Sequence, residues 1–298
     1  MLKYNKILLF LLIFSSCSDG SAQMLLDTVY FDRHWKQCKK DTASYYRQVY
    51  ADMGKKVQFI VKDFYLSGKI QMEGKYTSIN PDVKNGHFVY FFENGKKMSE
   101  VTYIENQPDG EYMEWYSNGK EKSLTTIQNG IMDGDYRTWT EQGIPQLNIK
   151  YKTGELDGTF ISYYDNGKPV RKDVYSNGEL KKKKCFTRDG KDTTWFEYLQ
   201  MPEFPGGPEK LNEYIDKELI YPKEAKEDLK EGVVTIEFAI GREGNIAKVK
   251  VVKADKDYFN VEAIRLVSAF PKWFPGKKDG QLVEVTLSLP IRFSIKND

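Results

Sequence analysis

Apolar and aromatic positions recur along the middle of the chain with a step of 24 residues. Segments 86–95, 110–119, 134–143 and 158–167 align without gaps, each opening and closing on a glycine. A further turn signal (Asn106, Gly130, Gly154, Gly178) falls 11 residues after each closing glycine. Asn-Gly and Asp-Gly supply the positive-φ positions that tight hairpins require. About eight residues lie between turns, which is the length of a strand. The pattern predicts strand, turn, strand, turn in every unit. The first strand carries rings at two fixed places: Phe88 and Phe91, Tyr112 and Trp115, Tyr136 and Trp139, Phe160 and Tyr163. The second carries Tyr103, Ile127, Tyr151 or Tyr175. Stacked copies would align these side chains into cross-strand ladders, and a stack is stable where one hairpin is not. The rings are read as packing, with a carbohydrate-stacking face as the alternative.

The pattern changes near residue 200. Leu211, Tyr214, Ile215 and Leu219 follow Pro208 at helical spacing, and Tyr221-Pro222 closes that helix. A short helix over 223–230 stops at Gly232. Val234, Ile236, Phe238 and Ile240 then alternate on one face of a strand, and 241–244 forms a turn. Ala247, Val249 and Val251 alternate with lysines in a return strand. Residues 259–270 predict a helix burying Ala263, Ile264, Val267 and Phe270. In the last strand Val283, Val285, Leu287, Leu289, Ile291 and Phe293 alternate with polar residues and Pro290. The layout, helix, hairpin, helix, strand, is an antiparallel sheet with helices on one face.

Composition narrows the function. Lys+Arg is 45 against Asp+Glu 43, so the chain lacks the basic excess of a nucleic-acid binder. Two His and three Cys leave little for a metal site, and no cofactor motif is present. Neither His34 nor His87 lies in a catalytic pattern, so a non-enzymatic protein is expected. Cys38 and Cys185 are expected to be unpaired. At the N-terminus, Lys3 and Lys6 precede an eight-residue apolar run, 7–14, too short for the ~20 residues of a spanning helix. The pattern is that of a signal peptide. Ser15-Ser16-Cys17 resembles the bacterial lipobox, which implies lipidation at Cys17 and a membrane anchor; cleavage after residue 23 is the alternative.

The repeats resemble the MORN family in its bacterial, YwqK-type variant, with weaker copies at 65–69 and 187–191. Residues 201–293 resemble the TonB C-terminal domain. The resemblance rests on Met201-Pro202-Glu203-Phe204-Pro205-Gly206-Gly207, Tyr221-Pro222, Lys272-Trp273, Pro275-Gly276-Lys277 and Pro290-Ile291-Arg292-Phe293. It implies a periplasmic domain that takes up an extended peptide, the TonB box of an outer-membrane transporter, as an added strand. Pro290 has no N–H, which argues that the last strand lies at or near a sheet edge; it reads equally as a guard of that edge against aggregation. Main-chain groups of Glu284, Val285, Thr286, Leu287 and Ser288 are therefore the expected contact; Trp273 is either a further contact or, as the main reading, a core residue.

The expected fold class is α+β. The expected divisions are a signal segment at 1–17, a cap at 24–66, β-hairpin repeats at 67–192 forming an extended sheet, and a TonB-like domain at 199–298. The expected function is a cell-envelope protein that binds a transporter peptide or another envelope protein, the repeats serving as interaction scaffold. The alternative is an energy transducer for TonB-dependent transport, held in the inner membrane by an uncleaved N-terminus. The family's transmembrane helix and Pro-rich linker are not seen in the sequence, which favours the first reading.

Overall fold

A computed structural model describes residues 23–52 and 58–295; Cys17 and the whole signal segment lie outside the described residues. Contacts divide the chain into two units. The boundary runs through the last repeat: residues 162–164, 168–173 and 182 onward group with the C-terminal unit.

The first unit is an antiparallel sheet whose long strands follow one another in chain order. It begins with Gln23–Phe31, Tyr45–Asp52, Gln58–Tyr65 and Ile70–Ile79. Each repeat contributes two strands, for example Gly110–Trp115 with Glu121–Gln128 and Ile131–Trp139 with Pro145–Lys152. The cross-strand rings meet as the spacing predicts. Phe88 is fully buried and lies edge-on to Tyr103 at 5.1 Å, and Tyr136 meets Tyr151 at 6.5 Å. Val49, Val61, Met72, Tyr76, Phe88 and Val101 form a continuous core on this face.

The turns are of two kinds. Those after the second strands have consecutive positive-φ residues, such as Asn129 (52°) and Gly130 (79°) or Thr153 (50°) and Gly154 (87°), as two-residue hairpins require. In the closing turns of the first strands the left-handed position falls on glycine alone. There the preceding Asn serves another purpose. Asn94 and Asn118 accept from the N–H of Lys96 and Lys120, and their side-chain amides donate 2.9 Å to carbonyls of the next repeat, Ser117 and Glu141. Tyr65 and Tyr116 reach forward the same way, each hydroxyl donating 2.8 Å to Phe91 or Trp139. The turn motif is therefore also the bond between neighbouring repeats. The same backbone pattern closes the turns at 65–69 and 187–191.

The opening glycines are not at turns. Gly134 lies inside a strand, where the register passes from Met132 opposite Ile127 to Tyr136 opposite Thr125. The surplus residues form a bulge, and at φ 122° Gly134 sits over Thr126, whose Cβ a side chain would approach to 2.8 Å.

The C-terminal unit contains a three-stranded antiparallel sheet. Its order is return strand (Ile246–Ala254), central strand (Gly232–Ile240), terminal strand (Val285–Phe293). Helices Gly207–Glu218 and Asn260–Ser268 cover one face. Val234, Ile236, Phe238, Phe259, Leu266, Val267, Ile291 and Phe293 are sealed between the layers. Two expected inward positions are corrected. Ile264 is 37% exposed and Leu266 is buried instead, because the buried stripe follows 259, 263, 266, 267 and 270. Ala247 is exposed because Lys248 takes φ 54° and a bulge shifts the alternation, leaving Ile246, Val249, Val251 and Ala254 on the core side. A second small sheet joins Leu199–Gln200, Lys277–Lys278 and Gln281–Leu282, where the sequence reading has a loop.

Candidate functional site: an open sheet edge

The terminal strand has a partner on one side only among the described residues. It pairs with the central strand over nine consecutive positions, from Gly232 opposite Phe293 to Ile240 opposite Val285, without a register break. Pro290 stands opposite Thr235. Because it has no N–H to give the ladder, this pair must be of the non-hydrogen-bonded kind. Alternation then assigns the remaining main-chain groups. Val285, Leu287, Leu289, Ile291 and Phe293 bond the central strand. Thr286, Ser288 and Arg292 present N–H and C=O along the open side, and Pro290 presents its carbonyl alone.

Of the residues expected at this contact, Thr286 and Ser288 therefore lie in one exposed row with unpaired main-chain groups on the open side. The side chains of Val285 and Leu287 lie on the other, half-buried row, Val285 beside Gly276 and Leu287 on the core. Glu284 precedes the strand, and its carboxylate is held by Lys248. Trp273 does not join them. Only 7% exposed, it packs edge-on against Phe204 at 5.5 Å and Phe238 at 5.8 Å. Its indole is a core group, so it offers no surface to a guest strand.

The other open edge of this sheet differs. The return strand breaks register twice, carries the left-handed Lys248, and displays Lys248, Lys250 and Lys253. Bulges and lysines are the usual guards against edge-to-edge pairing. The terminal strand has a single guard, Pro290. The sequence reading missed Lys248; a lysine breaking the apolar alternation beside a Gly turn is the signal that marks the bulge.

No group of His, Cys, Asp or Glu capable of holding a metal ion occurs among the described residues. His87 lies on an exposed strand position 3.7 Å from Glu100, beside a shallow hollow of about 240 Å³ lined by Glu73, Lys75 and Val89. Cys38 and Cys185 are free thiols. No helix among the described residues is long and apolar enough to cross a membrane.

The fold and its edge define a small α+β domain with a strand open to pairing. Comparison with known families names the parts. Residues 217–295 match the Gram-negative bacterial TonB protein C-terminal family, and residues 84–105 and 156–177 match the MORN repeat variant. The chain thus carries a TonB C-terminal domain behind MORN-variant repeats. Among solved structures it is similar to the solution structure of the Helicobacter pylori TonB C-terminal domain, at 30% identity over 30% of this chain and 81% of that one, with a TM-score of 0.24. Comparison with curated proteins finds no match. TonB C-terminal domains are periplasmic, envelope-associated domains, and neither family is enzymatic.

Proposed function

We propose that the chain is a non-enzymatic cell-envelope protein whose terminal strand takes up a partner peptide as an additional strand, with the repeats as scaffold for further protein contacts. The observation that carries this reading is the unbroken, one-sided pairing of Val285–Phe293. Backbone pairing would supply affinity and the exposed side chains beside it selectivity. Pro290 would interrupt the row of outward donors, separating Thr286 and Ser288 from Arg292, so a guest pairing along the expected contact would bond the donors of Thr286 and Ser288.

The test follows from the parity. Thr286→Pro with Ser288→Pro removes the two outward donors that precede Pro290 and leaves the inward ladder intact. Binding of short synthetic TonB-box peptides, measured by fluorescence anisotropy, is expected to be lost while the thermal midpoint changes by only a few degrees. Wild-type affinity in the double variant sinks the proposal.

We further propose that Cys17 carries a lipid that anchors the mature chain. Metabolic labelling with a radiolabelled fatty acid is expected to mark the wild type and to fail for Cys17→Ala. Label persisting in that variant, or absent from the wild type, overturns the anchor.

A further inference from the structure

The last repeat departs from its sisters at two inward positions. Arg171 and Asp173 stand where earlier repeats have Ser99 and Val101, Ser123 and Thr125, Leu147 and Ile149. Both charged residues are fully buried, and they belong to the C-terminal unit. A buried guanidinium is tolerated only when its donors are answered, and here they are. Nη1 donates 2.9 Å to Asp173, Nε donates 2.9 Å to Asp279, and Nη2 donates to the carbonyl of Phe196. The rings of Trp195, Phe196 and Tyr198 lie 5.8, 5.6 and 5.6 Å from the guanidinium carbon. Asp173 in turn accepts from the N–H of Lys184 at 3.0 Å and from the indole of Trp195 at 3.2 Å.

Asp279 is the far end of this cluster. It opens the two-residue turn between Lys277–Lys278 and Gln281–Leu282, with φ 49°. Its own N–H donates 2.8 Å to Tyr198. Burial pushes its carboxyl above the usual range, while Ser162 and Arg171 draw it back in part. The turn leads directly into the open edge. Val283 donates 3.0 Å to the carbonyl of Gly276, and Gly276 lies so near Val285 that a Cβ there would come within 2.6 Å of its methyl. Arg171, the Asp279 turn, the 276–283 loop and Val285 are thus consecutive links.

We infer that Arg171 is a positioning residue for the docking strand: the last repeat holds the Asp279 turn and so fixes where the open edge begins. The inference rests on the terminal strand being that edge. It makes residues 168–173 of the last repeat part of the binding domain, and places the functional boundary inside the repeat array. The remaining repeats are then free to vary in number without altering the edge.

The test uses the full chain and two readouts. Hydrogen exchange in Arg171→Met is expected to quicken at 276–284 by about a hundredfold, the scale on which a buried charge loses its partner. Exchange in the central strand should stay within about threefold of wild type. TonB-box peptide affinity should fall at least about tenfold, a loss of about 1.4 kcal/mol. Arg171→Lys retains the charge but lacks the fork that serves Asp173 and Asp279 together, so it should show the same local quickening in a milder form. Uniform quickening across the whole C-terminal core in both variants would make Arg171 merely structural and overturn the inference. Unchanged exchange at 276–284 would do the same. If wild type binds no peptide, the docking reading fails by itself, and the exchange result still decides whether the clasp holds the loop.

Discussion

Gly244→Ala is expected to destabilise the C-terminal domain by about 3 kcal/mol or more, although the change adds one methyl group. Gly244 closes the turn between the central and return strands at φ 84°, a conformation that costs any residue with a Cβ about 1 kcal/mol. The larger part comes from what lies above it. The carbonyl oxygen of Trp273 would be 2.0 Å from the added carbon, and the N–H of Trp273 donates 3.0 Å to the carbonyl of Gly244. The obstacle is backbone, so it cannot swing aside as a lysine tip would. Relief requires the 273–274 loop to lift off the hairpin, which withdraws the Trp273 ring from Phe204, Phe238 and Phe270. Gly241, at the other end of the same turn, is the control. A Cβ there meets only the carbonyl of Asn245 at an ordinary 3.6 Å, so Gly241→Ala should lie within about 0.5 kcal/mol of wild type. Thermal unfolding of the two variants decides the matter. Equal midpoints would mean that the loop does not rest on the turn.

That contrast shows what a sequence yields and what it withholds. The period of 24 was legible because each repeat must offer the next the same rings at the same height, which forces recurrence at fixed spacing. The terminal strand was legible for a simpler reason: strict alternation from Val285 to Phe293 has only one way to face a core. Bulges were not legible. Gly134 reads locally like a turn glycine, and only the cross-strand register reveals two surplus residues inside a strand. Ala247 was misplaced for the same cause, since one left-handed lysine reverses the parity of its neighbours. Ile264 failed differently, because a nine-residue helix presents a stripe narrow enough that a neighbouring apolar residue falls outside it.

At the open edge the sequence located the strand but did not divide its residues by parity. Pro290 held the missing information, since its absent N–H settles which main-chain groups face outward once its partner Thr235 is known. Trp273 reads from sequence as either a contact or a core residue, and only the fold decides: the loop turns back and seals the ring in the core. Arg171 was overlooked although its signal was present: a charged pair at positions that are small or apolar in every sister repeat. In a repeat protein, departures from the period mark where a repeat meets something other than another repeat.

Strands Tyr45–Asp52 and Gln58–Tyr65 carry the second large effect, and it concerns a pair that the period does not include. Arg47 lies directly opposite Asp63 on neighbouring strands. Nε meets one carboxylate oxygen at 2.7 Å and Nη2 the other at 2.9 Å, the two-pronged geometry in which Arg pairs most strongly. The Asp63 side chain is 3% exposed and that of Arg47 20%. Burial opposes the charge on Arg47, and Asp63 more than restores it, so the guanidinium is held more firmly protonated than usual. Arg47→Met strands a carboxylate with almost no access to water, and the expected loss is about 3–5 kcal/mol. Asp63→Leu should cost less, near the lower end of that range, because Arg47 retains Asp82 at 3.5 Å and partial solvent. Replacing both, Arg47→Met with Asp63→Leu, removes the charges together and should cost much less than the sum of the single variants. Urea unfolding of the three proteins measures this directly. Additive losses would show that the two side chains do not depend on one another. A small loss in the double variant alone would leave the pair with one remaining role, that of fixing register. A slip of one residue between these strands sends Arg47 to one face and Asp63 to the other, a penalty no apolar pair would impose.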